Sequence, residues 1–92
     1  MINDHLTVSG RVQGVGFRWS TYQLAKELGL AGFVQNQMDG TVYIVIQGPH
    51  EVVRKFIKQV QAGVNQYAHV TNVQIKPGNL IDTQTFSIKE SW

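Results

Sequence analysis

Apolar residues recur along this chain with two spacings, and the order in which the spacings follow one another limits the fold more than any other feature. Apolar residues alternate with polar ones over residues 5–12 and 69–76, and together with the shorter apolar segments they predict strands over residues 5–12, 33–38, 41–47, 69–76 and 85–89. Apolar residues at helical spacing predict a first helix from about residue 18 to Gly29, and a second over residues 52–60 that Gly63 ends. The order is therefore strand, helix, strand, strand, helix, strand, with a last short strand behind them.

This order is that of the ferredoxin-like, split β-α-β sandwich. We expect an α+β fold in which an antiparallel sheet of four to five strands carries two helices on one face. A single domain over residues 1–92 is expected, because the chain is short and has no internal linker. The first helix is then a right-handed crossover, so strands one and two run parallel with strand three between them. Asp39-Gly40 predicts a tight hairpin turn with positive φ angles between strands two and three.

The composition excludes several kinds of protein. Hydrophobic residues make up 42% and charged residues 15% of the chain, which is typical of a folded globular protein. The chain has no cysteine, so disulfides, thiolate nucleophiles and cysteine metal sites are excluded. No apolar run approaches the roughly 18 residues of a membrane span, and no secretory leader is present, so we expect a cytoplasmic protein without a membrane partner. The net charge is +2 with scattered basic residues, so we expect no nucleic-acid partner.

The segment GRVQGVGFR, residues 10–18, joins the first strand to the first helix. Gly14 and Gly16 lack Cβ, so consecutive backbone N–H groups can turn toward one point, where the start of the helix adds its positive dipole end. The guanidinium of Arg18 can bind two phosphate oxygens at once. The residues alone leave two interpretations open, an anion cradle or a loop whose glycines serve only the turn. The predicted topology brings Asn36, near the end of strand two, toward Arg18.

Two motifs resemble those of a known family. GRVQGVGFR resembles the first motif of the acylphosphatase family, and GFVQNQMDGTVYIVIQG, residues 32–48, resembles the second. With an F-x-I strand at residues 86–88, the resemblance covers nearly the whole chain. It implies a ferredoxin-like enzyme that needs no metal and no cofactor. Its substrates would be small acyl phosphates, hydrolysed at the carboxyl–phosphate bond, with inorganic phosphate as product and competitive ligand.

The resemblance also implies roles for individual residues. Arg18 corresponds to the family's phosphate-binding arginine and Asn36 to the asparagine that positions the attacking water, so these two are the candidate catalytic residues. The family's phosphate-binding loop corresponds to Gln13, Gly14, Val15, Gly16, Phe17 and Arg18. The leaving group is a carboxylate whose conjugate acid has a pKa of about 4, so the reaction needs no general acid. Our hypothesis is that the substrate's own phosphate accepts the proton of the water.

Other residues are expected to be structural. His5, His50 and His69 are widely spaced in the sequence, which favours surface positions over catalysis or metal binding. Phe17 and Trp19 flank Arg18 and are expected to pack the start of the helix rather than contact the substrate. The polar residues of the edge strands favour a monomer.

Two alternatives remain open. A non-catalytic anion- or RNA-binding ferredoxin-like module would show several exposed sheet aromatics, whereas Tyr43 is the only aromatic in the middle of the third strand. The chain could also be a fragment of a larger carbamoyl-transferring protein, since such proteins contain similar domains. Gln35, which stands just before Asn36 where many relatives carry a basic residue, leaves the preferred acyl group undecided.

Overall fold

The computed structural model describes residues 1–89 as a five-stranded sheet with two helices, which confirms the predicted α+β ferredoxin-like fold. The expected end of the domain at residue 92 lies outside the described residues. The elements follow in the order β1 (Ile2–Arg11), α1 (Phe17–Glu27), β2 (Ala31–Asn36), β3 (Val42–Gly48), α2 (His50–Gln61), β4 (His69–Pro77) and β5 (Phe86–Ile88). In this described part of the chain, neither helix has the length and apolar content needed to cross a membrane.

The strands lie in the order β4-β1-β3-β2-β5. β3 pairs antiparallel with both β1 and β2, so β1 and β2 run parallel on either side of it, which confirms the predicted crossover. Val42, at the start of β3, pairs with Val8 of β1 on one side and with Asn36 of β2 on the other. The C-terminal ends of β1 and β2 therefore lie at the same end of the sheet.

The prediction of an antiparallel sheet is right for four strands and wrong for β5. This strand pairs parallel with β2, so that Gly32 lies opposite Phe86 and Val34 lies opposite Ile88. β4 ends beside the beginning of β1, because it runs antiparallel to that strand. Residues 78–85 then cross that end of the sheet from one edge to the other. Because this connection stays at one end of the sheet, β5 runs in the direction opposite to β4. β2 runs in that same direction, so β5 and β2 are parallel.

The core lies between the sheet and the two helices. The central strands contribute side chains that are 0% exposed, among them Leu6, Val8, Ile44 and Ile46. Three buried residues of α2 lie on one helix face, where positions three and four apart are neighbours: Val53, Phe56 and Val60. α1 contributes Phe17, Thr21 and Ala25, which are four residues apart. Both helices therefore pack on the same face of the sheet.

The hairpin between β2 and β3 is confirmed, but its turn differs from the predicted one. The N–H of Gly40 donates to Gln37 O at 3.2 Å and the N–H of Gln37 donates to Thr41 O at 2.9 Å, so the turn occupies residues 37–41. Gly40 has φ 92°, whereas no described residue other than glycine has a positive φ. These values fit a type I turn followed by a glycine bulge, which needs a positive φ at its last position only. Asp39 therefore avoids the left-handed region.

We expect Phe56→Ala to lower the free energy of unfolding by about 3–5 kcal/mol, because the phenyl ring is fully buried and its loss leaves a cavity. Urea denaturation of the wild type and the variant measures the difference. Leu80→Ala is the control, since Leu80 is 60% exposed and should change stability by less than about 0.5 kcal/mol. If the Phe56 variant is too unstable to purify, Phe56→Leu should give a smaller loss of the same sign.

Candidate active site

A cavity of about 290 Å³ lies at the end of the sheet where β1 and β2 finish. Its lining comes from the loop after β1, the first turn of α1, the end of β2 and strand β5: Val12, Gly14, Gly16, Phe17, Arg18, Trp19, Asn36 and Ile88. Arg18 and Asn36 therefore face one cavity. A larger cavity of about 660 Å³, at the other end of the sheet between β1, β4 and α2, contains neither residue.

The loop between β1 and α1 lines the cavity with Gly14 and Gly16. Gly14 has φ 75° and Gly16 has φ 72°, a region that side chains with Cβ disfavour. Gly16 is the N-cap of α1, and no side chain caps the helix there. The N–H groups of the first turn have no acceptor within the helix, and the first turn contains no acidic residue. Within the first turn, therefore, no negative side chain competes for the positive end of the α1 dipole.

The side chains of three successive residues at the start of α1 point in different directions, because a helical turn takes about 3.6 residues. Phe17 is 1% exposed and points into the core, so it packs the start of the helix as expected. Arg18 is half-buried at the cavity, where its Nη1 donates to the backbone O of Lys89 at 3.4 Å. Trp19 meets the expectation only in part. Its ring stacks on that of Tyr22, but the side chain is 58% exposed and lines the cavity.

Asn36 is the last residue of β2 and brings an unpartnered acceptor to the cavity. Its Oδ1 is buried and accepts no hydrogen bond from any described residue. A buried acceptor without a partner costs about 1–3 kcal/mol, so such atoms are almost always satisfied by a protein group, a water or a ligand. Asn36 itself lines the cavity, so a rotation of its side-chain amide would bring this oxygen to a group bound there.

The other loop residues act through the backbone or through neighbouring segments. The Gln13 side chain does not line the cavity, and its Nε2 donates to the carbonyls of Gln37 and Thr41, each at 2.8 Å. It therefore fastens the loop to the hairpin that follows Asn36. The Val15 side chain packs against the core, and its carbonyl accepts a hydrogen bond from Asn65 Nδ2 at 3.0 Å.

Asn65 is a residue of this site that the sequence did not reveal. Its Nδ2 also donates to Ser20 Oγ at 3.0 Å, while its Oδ1 accepts the N–H groups of Tyr67 at 2.9 Å and Ala68 at 3.0 Å. One side chain thus closes the turn after α2 and holds the Val15 peptide. An asparagine two residues after Gly63 is a signal for a turn, but nothing local indicates a partner so far away in the chain.

No histidine or acidic residue is among the described residues that line the cavity. Thr41 donates to the Asp39 carboxylate through its hydroxyl at 2.6 Å and its N–H at 3.0 Å, and these bonds lower the pKa of Asp39 below its ordinary value. Among residues 1–89, no cluster of His, Asp or Glu is suited to hold a metal ion. His5 lies elsewhere, with its Nδ1 2.6 Å from the Tyr43 hydroxyl oxygen.

Comparisons with known proteins agree on one family. The family model described as Acylphosphatase matches residues 4–88. An acylphosphatase of Lactobacillus johnsonii is 48% identical over 71 residues, which are 77% of this chain and 78% of that protein. An acylphosphatase of Archaeoglobus fulgidus is 40% identical over 88 residues, 96% of this chain and 98% of that protein. The crystal structure of acylphosphatase from Bacillus subtilis superposes with a TM-score of 0.90 at 34% identity, covering 97% of this chain and 99% of that one.

We expect substitutions of Asn65 to weaken the binding of inorganic phosphate about three- to tenfold, because the Val15 carbonyl loses its donor and the loop N–H groups lose their fixed direction. Asn65→Ala removes every bond of this side chain. Asn65→Asp keeps the acceptor for Tyr67 and Ala68, loses the donor and adds a negative charge, so its affinity is measured at high salt, where the repulsion of phosphate is screened. Calorimetric titration with phosphate measures the effect, with exposed Gln66→Ala as control. Wild-type affinity in Asn65→Asp would contradict this role.

We expect Thr41→Val to raise the pKa of Asp39 toward its ordinary value, since the hydroxyl bond is the largest cause of the lowered pKa. Thr41→Ser should keep it low. A carboxyl whose pKa is lowered by folding stabilises the fold above its unfolded pKa, and this contribution disappears as the pH falls through the folded pKa. An NMR titration of the Asp39 carboxyl carbon measures each pKa. Identical titration curves for the wild type and Thr41→Val would disprove the assignment.

Proposed function

The chain belongs to the acylphosphatase family and is an acylphosphatase, and we propose that it works by direct attack of a water on the phosphoryl group of its substrate. Arg18 and the loop amides hold the phosphoryl group, and Asn36 positions the water. The observation that carries this mechanism is that one cavity is lined by Arg18, by Gly16 at the uncapped start of α1 and by Asn36, whose buried Oδ1 accepts no hydrogen bond from a described residue.

The first step is to bind the phosphoryl oxygens. The N–H groups around Gly14 and Gly16 and the first turn of α1 supply several donors at fixed positions, and Arg18 supplies a planar pair. Phosphoryl transfer passes through a loose transition state whose charge is spread over three equatorial oxygens. Donors that are already oriented stabilise this charge without reorganising during the reaction. Gln13 and Asn65 support the loop from behind, through the bonds to the hairpin and to the Val15 carbonyl.

The second step is to orient the nucleophile. A water that donates one O–H to Asn36 Oδ1 satisfies the buried acceptor and turns a lone pair toward the phosphorus. The amide is too weak a base to take the proton. The water oxygen forms a bond to phosphorus, the bond from phosphorus to the carboxyl oxygen breaks, and the proton passes to an oxygen of the phosphate. The products are a carboxylate and inorganic phosphate.

The reaction explains why so few side chains suffice. A carboxylate leaves without protonation because the pKa of its conjugate acid is about 4. Neither a histidine nor a carboxylate is required as general acid, and Arg18 is the only charged side chain among the described residues that line the cavity. The positive loop selects the phosphate group that all acyl phosphates share. We propose the free acyl phosphate as substrate and inorganic phosphate as a competitive product inhibitor.

We expect Asn36→Ala to lower kcat for benzoyl phosphate hydrolysis about 10²–10³-fold, which is the effect of removing one well-placed polar group from a transition state. The inhibition constant of inorganic phosphate should change little. Arg18→Ala should reduce turnover and weaken phosphate inhibition together, because the arginine holds the phosphoryl oxygens. The assays contain EDTA. Asn72→Ala, an exposed asparagine on β4, should behave as the wild type.

The outcomes separate the possible mechanisms. Wild-type turnover by the Asn36 variant would disprove the role of that amide. Inhibition of the wild type by EDTA would disprove a mechanism without metal. Phosphate binding without hydrolysis of any acyl phosphate by the wild type would favour the alternative of a non-catalytic anion-binding module.

A further inference from the structure

The rim of the cavity is apolar and exposed, although the residues around it bind an anion. Trp19 is 58% exposed and Ile88 is 39% exposed, and both line the cavity beside Arg18 and Asn36. We propose that Trp19 and Ile88 form a subsite for the acyl group, so that the enzyme prefers acyl phosphates whose acyl group is apolar. This inference rests on the proposed function, because it takes the phosphoryl group to lie against the loop and Arg18.

The positions of the two residues follow from the elements that carry them. Trp19 is in the first turn of α1, directly after Arg18. Ile88 is at the end of β5, where it pairs with Val34, two residues before Asn36. The remaining apolar lining, Val12 and Phe17, is 1% exposed and belongs to the core. Among the described residues that line the cavity, Trp19 and Ile88 are therefore the exposed apolar side chains that a group attached to the phosphate can contact.

The Trp19 ring is held in place before any substrate binds. It stacks on Tyr22 with 5.5 Å between ring centroids and 23° between ring planes. Tyr22 is supported in turn by Phe86 at 6.5 Å and by the ammonium of Lys26 at 5.7 Å from its ring centroid. A ring that is already ordered loses little side-chain entropy when a ligand packs against it. The exposed surface of Trp19 thus offers an aromatic contact of fixed orientation.

The charges near the cavity favour an uncharged acyl group. Of the described residues that line the cavity, Arg18 alone is charged, and its guanidinium is already paired with the phosphoryl group of the substrate. Lys89 places its Nζ 4.1 Å from the centroid of the Phe33 ring, and Gln35 before Asn36 carries no charge. A second carboxylate or phosphate at the far end of the acyl group would lie against Trp19 and Ile88. It would lose part of its hydration there without a cation to pair with, which weakens binding.

Three substrates with the same reacting bond test this subsite. Benzoyl phosphate has an aromatic acyl group, acetyl phosphate has a single methyl group, and succinyl phosphate has a second carboxylate. For the wild type we expect kcat/KM to be highest for benzoyl phosphate and lowest for succinyl phosphate. Trp19→Ala should lower kcat/KM for benzoyl phosphate about two- to tenfold, the range for one lost aromatic contact, and change that for acetyl phosphate far less. Ile88→Ala should act in the same direction.

Matched variants exclude a general effect on the fold. Trp19→Phe keeps an aromatic ring and should retain most of the preference for benzoyl phosphate. Leu80→Ala removes an equally exposed apolar side chain from the cavity at the other end of the sheet and should leave all three substrates unchanged. The inhibition constant of inorganic phosphate should be the same in every variant, because phosphate does not reach the rim.

The results distinguish this inference from the proposed function. If the wild type hydrolyses the three substrates and Trp19→Ala lowers kcat/KM equally for all of them, or for none, the acyl subsite is disproved and the mechanism stands. A wild-type preference for succinyl phosphate would also overturn the subsite. If the wild type hydrolyses none of the three, the proposed function fails and the subsite fails with it.

Discussion

The pairing of β3 with both β1 and β2 determines where the groups of the cavity lie. β3 can be antiparallel to two neighbours only if those neighbours are parallel to each other, so the segments that follow β1 and the last residue of β2 reach the same end of the sheet. Only β3 separates β1 from β2, and neighbouring strands lie about 4.8 Å apart. Val42 is the common partner, with Val8 on one side and Asn36 on the other. The loop that leads to α1 begins a few residues after Val8. For that reason Arg18 of α1 and Asn36 of β2 can line one small cavity.

Strand topology places these groups to within a few ångströms, whereas transition-state stabilisation requires about half an ångström. Two amide side chains that do not line the cavity restrict the loop further through their hydrogen bonds. Gln13 fixes the loop to both ends of the hairpin turn, at Gln37 and Thr41, so a shift of the hairpin carries the loop with it. Asn65 fixes the Val15 peptide from the opposite side. The two amides act on different peptides of one loop, and the N–H groups between them have little freedom to turn away from the cavity.

Local patterns in the sequence predicted the features that depend on neighbouring residues. The spacing of Val53, Phe56 and Val60 was sufficient for α2, the alternation of apolar residues was sufficient for β1, and the turn signal at Asp39-Gly40 was sufficient to place a hairpin before β3. Features that depend on distant partners were missed. The direction of β5 follows from how residues 78–85 cross the sheet, and the role of Asn65 follows from its contact with Val15, which is 50 residues away in the sequence. The turn at Asp39-Gly40 was mispredicted for a different reason. The dipeptide fits two hairpin geometries, and the bonds of residues 37–41 select the one in which Gly40 alone has a positive φ.

The cavity also explains two local choices that oppose stability. A serine or aspartate at the N-cap of α1 would accept an N–H of the first turn and stabilise the helix by a few tenths of a kcal/mol relative to glycine. Gly16 stands there instead, and the N–H groups remain available. Asn36 contributes a buried oxygen that accepts no hydrogen bond from a described residue, at a cost of about 1–3 kcal/mol. In the proposed mechanism, a phosphate oxygen accepts from these N–H groups and the attacking water donates to this oxygen. A ligand bound to the folded state in this way would also raise the free energy of unfolding.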